Sequence, residues 1–109
     1  MEHLIIDRVD GDDLCVVAPV GQLDVATAPR LRQVLTEAQF GPAHTVVLDL
    51  ARVEYLDAIG VGVIVDAHHR ARTHDARFVV ACSRDRLLQV LADAGLDQVL
   101  EVVPQAPAV

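Results

Sequence analysis

Asp57 stands between a strand-like run, Val46-Val-Leu-Asp-Leu50, and an apolar stretch that contains Gly60-Val-Gly62. An acidic residue and two glycines at such a turn can serve three chemistries. They can do acid–base work, cradle a phosphate on bare backbone, or cap a helix start. Phosphate cradling fails on spacing. The dinucleotide fingerprint needs G-x-G-x-x-G directly after the strand, yet Gly60 lies ten residues beyond Leu50 and the third position is Val65. A P-loop is excluded because the chain has no Lys. Nucleophilic catalysis has little to work with, since Ser83 is the only serine and no G-x-S-x-G surrounds it. Cys15 and Cys82 lie in apolar strand-like runs and read as small buried hydrophobes. Their pairing would require adjacent strands. His68, His69 and His74 have no i, i+4 partner among themselves, and H-E-x-x-H is absent, so no metal site is expected.

Asp57 and Asp24 remain, the first readable as a helix cap and the second as a turn residue. Ile59, Val61, Val63, Ile64 and Val65 make the start of the following helix apolar nearly all round. Either that helix is sandwiched between the sheet and its neighbours, or part of it forms a rimmed apolar patch of the kind that binds proteins. From residue 55 to 65 there is no Ser or Thr, so no aliphatic hydroxyl is available there.

The elements that must hold these residues belong to one small domain. The chain has 109 residues, 52% hydrophobic and only 3% aromatic, so its core is built from aliphatic side chains. Nine basic against 16 acidic residues give a formal charge of −7, a poor match for nucleic acid or an anionic membrane. No apolar run reaches the roughly 18 residues of a membrane span, and the N-terminus lacks a basic leader, so a cytoplasmic location is expected.

Two β-rich runs, at 3–9 and 14–20, flank Asp10-Gly11, a hairpin signal, and Pro19 is read as ending the second. A loop from Gly21 to Asp24 leads to a helix with Thr27 as N-cap and Pro29 in its first turn, stopped by Gly41-Pro42. The run at 45–50 is apolar enough for a strand covered on both faces. After a turn at 51–57, a helix is expected over about 59–73, then a strand at 77–82. A third helix is expected with Ser83 as N-cap, Leu87, Val90, Leu91 and Ala94 on one face, and Gly95 at its C-terminus. A last strand spans 98–103. The expected fold is α/β, a small mixed sheet of about five strands with three or four helices in the order β-β-α-β-α-β-α-β, covered mainly by helices. The domain spans 1–109, with its core at 3–103 and a flexible tail at 104–109.

These residues resemble the STAS domain of anti-sigma factor antagonists. The match runs from about His3 to Val103 and rests on four pieces in order. They are Gly21-Gln-Leu-Asp24 with Ala26-Thr-Ala-Pro-Arg-Leu-Arg32; Val47-Leu-Asp-Leu50; Val53-x-Tyr-Leu-Asp57-x-x-Gly60-Val-Gly62-Val63; and Leu88-x-x-Leu91 through Ala94-Gly-Leu-Asp97. The resemblance implies a non-enzymatic, cofactor-free binding module that docks on an anti-sigma factor of the GHKL-ATPase serine-kinase type and so governs sigma-factor-dependent transcription. It implies a partner surface at Asp24, Asp57, Ala58, Ile59, Gly60, Val61, Gly62 and Val63, no metal, and it leaves a homodimer open. In the family the kinase phosphorylates a Ser or Thr directly after the turn Asp. Here Ala58 stands at that position and Ile59 at the second hydroxyl position, so binding is expected without the usual switch. The chain also lacks the final helix that many members carry after the last strand. Two other readings remain: a STAS scaffold or adaptor subunit of a signalling or lipid-transport complex, and a small-ligand sensor, which would need a pocket near Asp24 and Asp57.

Overall fold

The computed structural model describes residues 4–109; His3, the expected start of the first strand and of the family match, lies outside them. Strands β1 (Ile5–Asp10) and β2 (Leu14–Leu23) form the hairpin that Asp10-Gly11 signals, with Gly11 N–H donating to Leu14 O at 2.7 Å. Then follow α1 (Ala28–Gln39), β3 (Thr45–Asp49), β4 (Val53–Leu56), α2 (Ala58–Thr73), β5 (Arg77–Ala81), α3 (Asp85–Asp93) and β6 (Glu101–Val103). The sheet runs β1-β2-β3-β5-β6, with β1 antiparallel to β2 and the other pairs parallel. The class is the mixed α/β sheet expected, but it has six strands rather than about five.

The additional strand, β4, lies in the segment read from sequence as a turn, and it pairs only with the far end of β2. That end continues past Pro19 to Leu23, so Pro19 does not terminate the strand and Gly21 to Leu23 is not a loop. The reason is a change of partner. β2 pairs with β3 only as far as Val17 and with β4 only from Gly21. Pro19 falls in the gap between these partners, where no donor is needed on that side. Gly21 takes φ +113 at the register shift that follows, a bulge only glycine adopts cheaply.

All three helices cover one face of the sheet. Leu31 and Leu35 of α1, Val63, Ile64 and Ala67 of α2, and Leu87 and Leu91 of α3 share a core with Val17, Val46, Leu48, Phe78 and Val80. The opposite face carries Val16, Val47, Val79 and Ala81 in a separate cluster that contains no helical residue. Strand β3 is therefore covered on both faces, as its apolar run implies, but by helices on one of them alone. What packs on the other is Ala106 of the C-terminal segment. Val109 reaches as far as Gly11, where an added Cβ would meet Val109 Cγ1 at 2.7 Å. Residues 104–109 are thus a strap across the sheet rather than a free tail.

Helix ends follow the expected pattern only in part. Gly95 follows α3 with φ +75, as a helix-terminating glycine should. Ser83 does not cap α3: Arg84 holds the N-cap position without a side-chain bond, and Asp85 places the acidic charge in the first turn. Ala94 is exposed, while Leu87 and Leu91 carry the buried face. Cys15 and Cys82 are both buried and free, and burial pushes both thiols up. They sit on β2 and just after β5, with β3 between, so the pairing geometry is absent.

The two glycines of the turn are not equivalent. A Cβ on Gly60 would lie 2.8 Å from the backbone oxygen of Leu23, 3.0 Å from Leu23 Cβ and 2.7 Å from Leu56 Cδ1. Helix α2 therefore sits against β2 and β4 at a distance only glycine permits. At Gly62 a Cβ would meet nothing within 4 Å, so no close packing requires glycine there. Gly60→Ala should destabilise the fold by about 1–3 kcal/mol, the usual range for overpacking. Gly62→Ala should stabilise it by about 0.5–1 kcal/mol through helix propensity. Urea unfolding of the two variants checks both signs, and equal effects would contradict this packing.

Candidate functional site

The expected site residues converge at the shared end of β2, β4 and α2. Register pairs Leu23 with Leu56, so the following residues, Asp24 and Asp57, emerge side by side in the chain trace. Asp57 N–H donates to Leu23 O at 3.1 Å, tying the turn to β2. The Asp57 carboxylate Oδ1 accepts from Ile59 N–H at 2.9 Å and Gly60 N–H at 3.0 Å, satisfying two of the donors that a helix start leaves open. This is the capping role, with the negative charge at the positive end of the helix dipole.

Asp24 does the same work for its loop. Its Oδ1 accepts from Ala26 N–H at 3.0 Å and Thr27 N–H at 3.2 Å. Thr27 holds the N-cap position of α1 as expected, but its hydroxyl makes no cap bond. It donates instead to Gln22 O at 2.7 Å and accepts from Asp24 N–H at 3.1 Å. Both carboxylates are thus engaged by backbone donors, and the arrangement holds loops rather than moving protons.

What this end presents outward is apolar. Val25 is 71% exposed, Ile59 49% and Tyr55 48%, and Ala26 and Ala58 are exposed beside them in sequence. Ile59 is the one member of the apolar helix start that is largely exposed. Val63 and Ile64 are fully buried, Val61 is buried and Val65 is half-buried. The apolar run is therefore mostly explained by the core, and Val63 is removed from any outward-facing surface. Gly60 is buried against β2, and Gly62 lies inside the helix. Val25 and Tyr55 were not among the residues expected here. An apolar residue directly after Asp24 in a polar loop is the signal that would have marked Val25.

The polar half of α2 holds no metal cluster; among the described residues no three His, Cys, Asp or Glu come together to bind an ion. Arg70 Nε donates to Gln39 Oε1 at 2.8 Å and Gln39 Nε2 to Ala67 O at 2.8 Å, so these groups lock α1 to α2. Arg32 and Asp66 add an ion pair across the same seam. Burial, with Arg72 and His69 adding to it, pulls the His68 imidazole below its ordinary value. No helix among the described residues is long and apolar enough to cross a membrane.

Comparison with known proteins agrees with this geometry. The family model "STAS domain" matches residues 4–107. The anti-sigma-B factor antagonist of Staphylococcus epidermidis is 29% identical over 100 residues, covering 92% of this chain and 93% of that protein. Among solved structures, an anti-sigma factor antagonist from Mycobacterium paratuberculosis superposes with a TM-score of 0.87 at 23% identity, over 94% of this chain and 87% of that one. The phosphorylated form of the Bacillus cell fate determinant SpoIIAA superposes at 0.70 with 18% identity, over 91% of each chain. The chain belongs to the STAS domain family.

Proposed function

We propose that this protein is an anti-sigma factor antagonist that binds its partner without being switched off at residue 58. It acts as a non-enzymatic binding module in the cytoplasm, and its partner is an anti-sigma factor of the serine-kinase type. The observation that supports this is the exposed, mainly apolar surface of Val25, Tyr55, Ala58 and Ile59 around the capped start of α2, which offers no Ser or Thr hydroxyl. The antagonist names of its relatives support an anti-sigma factor as the partner. In a switched antagonist a phosphate at this place would add about −1.5 to −2 charges to a contact that is otherwise apolar, and repulsion and desolvation would end the complex. Ala58 has no atom to accept that phosphate.

Two carboxylate substitutions test the surface. Ile59→Asp and Val25→Asp place a charge at exposed positions on separate elements, so each should leave the melting temperature within a few degrees of the parent. Each should weaken binding to the cognate anti-sigma factor by roughly a hundredfold or more, because an unpaired carboxylate would be desolvated. Titration calorimetry with unchanged affinity for both folded variants would remove this surface from the reading.

The switch is tested by restoring it. Ala58→Ser puts a hydroxyl at the first helical position, beside the Asp57 cap, and should change stability by less than about 1 kcal/mol. With ATP and the partner kinase, the parent should acquire no phosphate in residues 55–65, while the Ala58→Ser variant should be phosphorylated and then released. Intact-mass spectrometry and size-exclusion chromatography read the two steps. A complex with an active kinase that never modifies the introduced serine would count against a switched ancestry.

A further inference from the structure

Two buried side-chain nitrogens among the described residues have no hydrogen-bond partner, His68 Nε2 and Arg70 Nη2. They differ in how they can respond. Arg70 keeps its charge at any ordinary pH, and Gln39 already holds its Nε. An imidazole takes up or sheds a proton near neutrality, so for His68 the protonation state is set by what surrounds the ring.

His68 lies in the polar half of α2 and lines a cleft of about 190 Å³ between that helix and the β5–β6 edge. Ala71, Phe78 and Val99 give the cleft its apolar lining, and Arg72, Arg77 and Glu101 are its charged groups. Arg72 follows His68 by four residues on the same side of the helix, so a charged imidazole would meet a like charge there. The His69 ring stands beside it, with the two centroids 5.8 Å apart. Glu101 is the one carboxylate at the cleft, and Arg77 engages both its oxygens, Nε donating to Oε1 at 2.8 Å and Nη2 to Oε2. Asp66, two residues before His68, does not share its side of the helix and pairs with Arg32 across the α1 seam. A proton on His68 therefore meets two arginines, a second imidazole and no free carboxylate.

We infer that His68 is a proton-sensitive latch: its neutral imidazole closes the C-terminal half of α2 onto the β5–β6 edge, and uptake of a proton loosens that half of the helix. The start of α2 is held independently, by the Asp57 cap and by the fit of Gly60 against β2 and β4. Burial first, then Arg72 and His69, pulls the imidazole below its ordinary value, and this fixes the sign of the effect. On acidification the unfolded chain takes up this proton before the folded one. The contribution of His68 to stability is therefore complete above about pH 6.5 and is lost as pH falls from there through the folded value. One such group changes the folding equilibrium by at most about tenfold per pH unit.

Ring-proton NMR of the full chain between about pH 7.5 and 4.5 reads the latch directly, and His68 should titrate with a midpoint below about 6.5. Arg72→Gln removes the facing charge from an exposed position and should move that midpoint upward. Urea unfolding over the same range should show the parent losing more stability on acidification than His68→Gln, which cannot titrate. Amide protection, corrected for the pH dependence of exchange, should fall in residues 67–73 of the parent while Ile59 and Gly60 keep theirs. A His68 midpoint at or above the ordinary imidazole value would overturn the latch, and so would an acid loss as large in His68→Gln as in the parent. A midpoint unmoved in Arg72→Gln would remove Arg72 from it.

Discussion

The Leu23 carbonyl is the point on which this molecule turns. It receives the Asp57 N–H, and it also sets how near α2 can come, because Gly60 leaves no room for a Cβ above it. One oxygen therefore fixes both the height of the turn and the approach of the helix. From it follows the pairing of β4 with the end of β2, without which Asp24 and Asp57 would not share one edge of the protein. Asp57 then completes the junction by capping the helix whose position that oxygen has determined. Hydrogen bonding and exclusion act here on the same few atoms, so the loop geometry has little freedom left.

The two faces of the sheet show how differently apolar strands can be covered. Toward the helices, large aliphatic side chains interlock, and Leu48, Ile64, Leu87 and Leu91 are removed from water almost completely. Each such side chain contributes about 1.5–3 kcal/mol through burial. The other face is lined by smaller residues, mainly Val and Ala, and a strap of six residues with two prolines suffices to cover most of it. The prolines matter because they restrict the strap before it packs and so reduce the entropy lost on ordering. At the far edge, Ile5 and Val9 of β1 remain exposed.

Much of this was legible in the residues. Strand and helix types, the hairpin at Asp10-Gly11, the capping role of Asp57 and the terminating glycine at Gly95 all follow from local rules that tertiary contacts did not override. The hidden parts have physical causes. β4 reads Val-Glu-Tyr-Leu with both middle residues exposed, because it hangs off the main sheet and pairs on one side only; the alternation that marks a strand is missing. The full length of β2 is masked by Pro19, harmless only because the strand is between partners at that point. The strap has no periodicity, so its packing depends wholly on a surface made elsewhere. At the candidate site, sequence located the turn at Asp57 but gave Val63, which is buried, an outward role. Helical spacing alone does not say which side of an all-apolar helix meets the sheet.

The fold is nearly indifferent to the residue at position 58. The cap bonds come from Asp57, the close packing comes from Gly60, and Ala58 itself is exposed. A hydroxyl at this position would contribute little to structure, so its absence costs the domain almost nothing. The same cannot be said of its neighbours on either side. Replacing Asp57 would leave the N–H groups of Ile59 and Gly60 without their partner, and enlarging Gly60 would push α2 off the sheet. A chain of this architecture can therefore vary at position 58 while every element that builds the surface is retained. The turn keeps its shape because that shape is what holds the helix down.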